Sequence, residues 1–232
     1  MVQSFSALII GCGYVASRWK SLLEEKGWEV WGARRSTQPG HDNIPIDISS
    51  EFSLSHHDDV IFYMVSAGAY KRKSYENAYS LGVFNTLQTI QKSNQNPKFI
   101  FVSSTGVFAE NNGALVTEDS PTKAILFSTD SRLHGENQIA SSRLEYSILR
   151  LSGIYRPSRY HLIDKIRSGG ATLKKDSFKW RAKKLSADDL PTESQTSKLV
   201  HMTNKCCRNA KIICSDYVFL YPSFREGFFL CL

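Results

Sequence analysis

A chain of 232 residues can form one sizeable α/β domain, or a nucleotide-binding domain with a small appendage. Its 41% hydrophobic and 22% charged residues are those of an ordinary globular protein, and no run approaches the roughly 20 apolar residues of a membrane span, so a membrane partner is not expected. The net charge of +7 and pI near 9.1 suit anionic ligands, whether nucleotide phosphates or nucleic acid, without choosing between them.

The N-terminus lacks the basic flank and cleavage site of a secretory signal, so a cytoplasmic location is expected. The cysteines are Cys12, Cys206, Cys207, Cys214 and Cys231, with no CxxC pair. Neither a disulfide framework nor a zinc site is favoured by that spacing. His201 with Cys206, Cys207 and Cys214 could in principle collect a metal, but adjacent cysteines fit tetrahedral chelation poorly, and no metal is expected.

In chain order, Leu8, Ile9 and Ile10 form the short apolar run of a strand covered on both faces, and Val15, Trp19, Leu22 and Leu23 then recur at helical spacing as the expected apolar face of a helix. Between them lies Gly11-Cys12-Gly13-Tyr14-Val15-Ala16. Gly11 would permit a tight turn, Gly13 would let backbone N–H groups approach a pyrophosphate, and Ala16 stands where a small residue lets the helix pack closely. The helix N-terminus then offers its partial positive charge to phosphates, and Gly11, Gly13, Tyr14 and Val15 are candidate cofactor contacts. A glycine turn of this kind can also serve packing alone.

Gly27 marks a stop, and Trp28–Ala33 reads as a second strand. About 20 residues beyond the glycines an NAD-preferring site places Asp or Glu, to hold the ribose 2′-hydroxyl. Here stand Arg34 and Arg35, whose guanidinium groups could clamp a 2′-phosphate with bidentate bonds, so NADP is the preferred cofactor and NAD the alternative. A solvated basic turn is the other reading of the pair.

Gln38-Pro39-Gly40 reads as a turn and Ile44–Ile48 as a short third strand, with Asp47 either near an adenine edge or capping the next segment. Asp59–Gly68 reads as a stronger strand finishing in Ser66, Ala67 and Gly68, small residues that leave room for a nicotinamide ribose. A helix is expected over Tyr75–Ile90, with Tyr75, Tyr79, Val83, Leu87 and Ile90 as its apolar stripe. Lys98–Thr105 is the next strand, and its terminal hydroxyl residues lie where an α/β sheet places chemistry or, alternatively, where a helix is capped. A polar helix over Arg132–Leu144 and a strand over Tyr146–Leu151 follow. Strands alternating with helices at this rhythm predict a parallel sheet with right-handed crossovers.

The segments Gly11–Ala16, Phe101–Phe108, Thr117-Glu118-Asp119-Ser120-Pro121 and Leu149–Tyr155, taken together, resemble the extended short-chain dehydrogenase/reductase family, most of all its NAD(P)-dependent epimerase/dehydratase branch and the atypical members of that branch. The resemblance covers roughly the first two-thirds of the chain. It implies an α/β, Rossmann-like, doubly wound parallel sheet, with an NAD(P)-binding domain over 1–155 and a small, shortened C-terminal lobe over 156–232 completing it. In that family a Ser or Thr after the fifth strand orients the substrate, a Tyr is the general acid/base, and a Lys on the same helix supports the Tyr and holds the nicotinamide ribose. Ser104, with Thr105 beside it, matches the hydroxyl position.

Counting back from Glu136, which resembles the family's glutamate on that helix, Ser128 and Arg132 stand where the Tyr and Lys belong. A serine hydroxyl is far too weak an acid to replace a phenol, although Arg132 could still supply positive charge. Tyr155, Tyr70 or Tyr75 could take over proton transfer from another direction, or serve packing. Later, Arg156 replaces a usual glycine and Ser186 a usual histidine, the span Thr192–Asn209 is polar, and Lys211–Asp216 resembles a late family strand arriving early. The shortened lobe implies a pocket that is small, open or completed by a partner chain, as in a homodimer.

Two-thirds of the way along, Lys165, Arg167, Lys174, Lys175, Lys179, Arg181, Lys183 and Lys184 are interleaved with Phe178 and Trp180. Such a stretch can bind nucleic acid, but the rim of a cleft for a small anionic or sugar-like substrate is the reading preferred here. Three functions are thus in play: an atypical NAD(P)-dependent oxidoreductase or epimerase/dehydratase on a small or nucleotide-sugar-like substrate, a non-catalytic NADP(H)-binding sensor or regulator, and, least favoured, a nucleic-acid binder.

Overall fold

The computed structural model describes residues 4–36, 43–110, 114–152, 154, 205–207, 211 and 214. The expectations on Gln38–Gly40, Tyr155, Arg156, Ser186 and the basic stretch 165–184 lie outside the described residues. Two compact units are present, one made of the chain up to Val107 with Thr122–Ser152, the other of Phe108–Pro121 with the later residues.

The first unit is built on six parallel strands. They are β1 (Ser6–Ile10), β2 (Glu29–Arg34), β3 (Asn43–Pro45), β4 (Val60–Tyr63), β5 (Lys98–Ser104) and β7 (Tyr146–Leu151), in the order β3-β2-β1-β4-β5-β7. The register is continuous, with Ile10 opposite both Ala33 and Tyr63, and Tyr63 opposite Phe101. This is the Rossmann-like, doubly wound arrangement expected. Its helices are α1 (Tyr14–Glu25), α2 (Arg72–Tyr75), α3 (Gly82–Lys92) and α4 (Phe127–Ala140), and a π-helical segment, Glu76–Leu81, joins α2 to α3. In the second unit β6 (Ala114–Val116) pairs in parallel with β8 (Lys205–Cys207).

Two hydrophobic clusters sandwich the sheet. Leu8, Ile10, Ile61, Tyr63, Phe99 and Phe101 point to one face with Tyr79, Val83, Ile90 and Ile139, while Ala7, Ile9, Val60 and Phe62 point to the other with Ala16 and Leu23. Strand residues alternate between the clusters because successive side chains leave opposite faces of the pleat. Each fully buried Phe, Leu or Ile here contributes about 2 kcal/mol of transfer free energy.

Several boundaries differ from expectation for identifiable reasons. The face of α1 against the sheet is Ala16 and Leu23, whereas Val15, Trp19 and Leu22 are 39%, 40% and 49% exposed. The methyl side chain of Ala16 lets the helix sit close to the sheet, and the helix is rolled so that the larger residues flank the contact. Strand β4 ends at Tyr63 rather than running to Gly68: its neighbour β1 turns away at Gly11, where the Met64 N–H bonds to the Ile10 carbonyl at 2.8 Å, and the segment after it leaves the sheet although β5 runs on to Ser104. Strand β3 is Asn43–Pro45, so Asp47 lies beyond it. Helix α4 begins at Phe127, five residues before the expected Arg132, with Thr129 Oγ1 accepting a hydrogen bond from the Leu126 N–H at 3.0 Å across its first turn. Where the expected strand 211–216 is described, Lys211 is helical and Cys214 is in a turn.

Candidate functional site

In an open parallel sheet a crevice forms at the carboxyl ends of the strands where the winding reverses direction. Here β1 connects outward to β2 and β3, and the chain then returns to β4 on the opposite side of β1, so the reversal lies between β1 and β4. The segments leaving the carboxyl ends of β1 and β4 are Gly11–Gly13 and Met64–Gly68.

Gly11 sits at φ +88°, and a Cβ there would come within 2.7 Å of the Val65 Cα and N. Only glycine lets the β1 turn lie against the backbone leaving β4. The Gly11 and Cys12 N–H groups both donate to the Ala33 carbonyl, at 3.0 and 2.9 Å, and the Gly13 N–H donates to the Gly11 carbonyl at 2.7 Å. The Cys12 side chain is buried, 3.7 Å from Ser17 Oγ, so the turn presents backbone rather than side chain. Gly13 is exposed, and a Cβ on it would meet nothing nearer than the Gly11 carbonyl oxygen at 3.9 Å. It is also the N-cap of α1, which has no side-chain cap and no acid in its first turn. An open, uncapped helix N-terminus behind a backbone-lined turn fits a pyrophosphate.

Other expected contacts share this edge of the sheet. Arg34 closes β2 half-buried, with its carbonyl accepting the Ile46 N–H at 2.9 Å, and Arg35 follows it, exposed. Asp47 is held in an Asx turn: its Oδ1 accepts the Ser49 hydroxyl at 2.7 Å and the Ser49 N–H at 2.9 Å. Those bonds, and then the charge of Arg35, keep its carboxyl below the usual range. Asp47 therefore does the capping that the sequence offered as one of its two uses. Ser66 and Gly68 are exposed beyond β4, and a Cβ at Gly68 would meet nothing within 4 Å.

At the end of β5, Ser104 Oγ accepts the Gly106 N–H at 3.1 Å, which leaves the hydroxyl proton available to donate. Thr105 opens the 3₁₀ turn Thr105–Val107, against which α4 packs. On α4, Ser128 and Arg132 are one turn apart. Ser128 is 6% exposed. Arg132 donates to the Ser128 carbonyl at 2.9 Å and lays its guanidinium over two rings, 4.9 Å from the centroid of Tyr75 and 4.7 Å from that of Tyr79.

Residues not singled out from the sequence complete this wall. Phe127 touches Tyr70 and Tyr75, with centroids 4.9 and 5.5 Å away, and so joins the segment after β4 to the start of α4. Gly135 lets α4 approach the π segment closely, since a Cβ there would stand 2.5 Å from the Tyr79 carbonyl oxygen. Glu136, 4% exposed, receives Arg150 through two bonds of 3.2 and 2.7 Å, tying α4 to β7. In the sequence Glu136 serves only as a marker of register; the signal for its pairing is an acid in mid-helix followed 14 residues later by an arginine in an apolar strand.

No family model and no curated protein matches the sequence. Solved structures do match its fold. One from Methylobacillus flagellatus, provisionally described as an NAD-dependent epimerase/dehydratase, is 23% identical over 99% of this chain and 98% of its own, with a TM-score of 0.75. A conserved protein of unknown function from Silicibacter pomeroyi is 19% identical over 98% of both chains, with a TM-score of 0.69. A UDP-glucuronic acid 4-epimerase from Bacillus cereus, in complex with NAD, is 18% identical over 71% of this chain but 63% of its own, with a TM-score of 0.56. At these identities the likeness is one of fold. The chain spans nearly the whole of the first two proteins and less than two-thirds of the epimerase. Among the described residues no helix is long and apolar enough to cross a membrane.

Proposed function

We propose that this protein binds NADP(H) at the carboxyl edge of its sheet and acts as an oxidoreductase or epimerase/dehydratase of the short-chain dehydrogenase/reductase type, on a small anionic or nucleotide-sugar-like substrate. The observation that carries this reading is the open Gly13 position at the uncapped start of α1, backed by a Gly11 turn that only glycine can form. In this reading Gly11, Gly13, Tyr14 and Val15 hold the pyrophosphate, Arg34 and Arg35 the 2′-phosphate, Asp47 the adenosine edge through the turn it caps, and Ser66, Ala67 and Gly68 the nicotinamide ribose. Ser104 orients the substrate by a hydrogen bond from its hydroxyl to a substrate oxygen, with Thr105, Ser128 and Arg132 on the adjoining wall. When bound, the dinucleotide supplies or accepts a hydride. The fold likeness to a protein crystallised with NAD supports dinucleotide binding, and the two arginines support the phosphorylated form.

The direct test is a binding titration with NADP and with NAD. NADP is expected to bind more tightly, and Arg34→Ala to weaken NADP by about tenfold or more, one charge-assisted bidentate contact, while changing NAD little. Equal losses for the two would show that the 2′-phosphate lies elsewhere. Failure of the unaltered protein to bind either would remove the reading.

A further inference from the structure

The α4 positions that would carry a phenol and an ammonium hold Ser128 and Arg132, so the reaction proposed above lacks an evident proton donor. Four tyrosines lie near that wall, and their surroundings separate them. Tyr63 is fully buried, with its hydroxyl donating to the Ala78 carbonyl at 2.5 Å. Tyr79 is 5% exposed within the core. Tyr70 is 65% exposed and touches Tyr75 and Phe127, and among the described residues no guanidinium lies over its ring. Tyr75 alone of the four combines partial exposure, a guanidinium on its ring and contact with Phe127, the neighbour of Ser128.

We infer that Tyr75, presented from α2 and backed by Arg132, is the proton donor and acceptor of this site, in place of the absent phenol on α4. The inference rests on the NADP(H)-dependent reading. In the reductive direction the O–H bond of Tyr75 breaks and its proton passes to the carbonyl oxygen of the substrate, while the carbonyl carbon gains a hydride from the reduced dinucleotide. The carbonyl is reduced, the dinucleotide is oxidised, and water returns a proton to Tyr75. Negative charge developing on the Tyr75 oxygen meets the fixed cation of Arg132, whose hydrogen bond to the Ser128 carbonyl and second stack on Tyr79 hold it in place. Arg132 is thus a positioning residue that acts through Tyr75.

Two measurements on the full chain test this. With NADPH and a panel of small aldehydes, ketones and nucleotide sugars, Tyr75→Phe is expected to lower kcat by 10²–10⁴-fold, the usual range for loss of a general acid, with NADP affinity within about twofold of the unaltered protein. Tyr70→Phe is expected to stay within about threefold on both counts. Independently of turnover, bound NADP should shield Tyr75 from nitration by tetranitromethane, read by peptide mass spectrometry. Tyr146 starts β7 at the opposite edge of the sheet and is 41% exposed, so it should react equally with and without the dinucleotide. Turnover by Tyr75→Phe within threefold of the unaltered protein, or nitration of Tyr75 indifferent to NADP, overturns the assignment. So does a protein that binds NADP and reduces nothing in the panel. A protein that binds no dinucleotide overturns the functional reading itself.

Discussion

Gly11 and Gly13 lie two residues apart in one turn, and an added methyl would affect them differently. At Gly11 it must adopt a left-handed conformation and displace the backbone at Val65, so Gly11→Ala is expected to cost about 2 kcal/mol or more in a urea unfolding titration. At Gly13 it meets open space. Gly13→Ala should unfold like the unaltered protein yet bind NADP about tenfold more weakly, because the methyl occupies the volume assigned to the pyrophosphate. Equal behaviour of the two variants would mean that the turn is only a packing device. Asp58 makes a prediction of a different kind. It is 8% exposed, its Oδ1 has no hydrogen-bond partner among the described residues, and burial pushes its carboxyl up from 3.8 to about 6, against the opposing charges of His56 and His57 and with reinforcement from Asp59 and Glu29. The folded protein therefore holds this proton where the unfolded chain releases it. The stability tied to that proton is fully present below pH 3.8 and lost as pH rises through about 6. Asp58→Asn is expected to be more stable than the unaltered protein at pH 8, by roughly 1–2 kcal/mol, with the gain shrinking toward pH 4, as followed by denaturant midpoints across pH.

Helix α4 is tied to β7 by the buried ion pair of Glu136 with Arg150, and its surroundings decide what that pair is worth. Removing Arg150 leaves Glu136 charged at 4% exposure, so Arg150→Met should cost about 3 kcal/mol or more in the same unfolding experiment. Lys98–Glu145, a pair of similar length, has both side chains well exposed, and Lys98→Met should cost less than about 1 kcal/mol. Comparable losses from the two would contradict the burial argument. At this scale the sequence was a good guide wherever one physical signal dominated. Phe99 and Phe101 alternate with less buried neighbours along β5, and Tyr146–Leu151 was placed to the residue. It was a poorer guide where a third element chose between faces. Of the α1 stripe Val15, Trp19, Leu22 and Leu23, only Leu23 is buried, because helical spacing does not say how far a helix is rolled, whereas Ala16 packs closely as its place after the glycine turn predicts. The π segment was invisible for a related reason. Its place is taken up by the Tyr63 hydroxyl reaching the Ala78 carbonyl from β4, and a Cβ at Gly82 would stand 2.5 Å from that hydroxyl, a contact 19 residues away in sequence. Likewise Arg132 could be read as a cation near the chemistry, but its commitment to Tyr75 and Tyr79 depends on how closely Gly135 brings two helices together.

Across the whole molecule the proposed cofactor site and the net charge of +7 act together, and they can be separated by salt. A positive molecule attracts both dinucleotides through its diffuse field, NADP the more for its extra charge, and that attraction is screened over a Debye length of about 10 Å at 0.1 M ionic strength. The extra 2′-phosphate adds close to two negative charges, and if Arg34 and Arg35 meet it directly, the preference for NADP comes from a local contact that salt weakens less than it weakens the long-range field. The NADP-to-NAD affinity ratio should therefore fall only a few-fold between about 0.05 and 0.5 M salt, while both absolute affinities fall more steeply. In a protein carrying both Arg34→Ala and Arg35→Ala the ratio should be near one at low salt already. Ligand binding to the folded state alone adds about 2.7 kcal/mol at a hundredfold excess over Kd, so the same ratio is readable as the difference in thermal stabilisation by the two dinucleotides. A preference that vanishes at high salt in the unaltered protein, or survives in the double variant, would assign NADP selectivity to the charge of the whole molecule instead of to the end of β2.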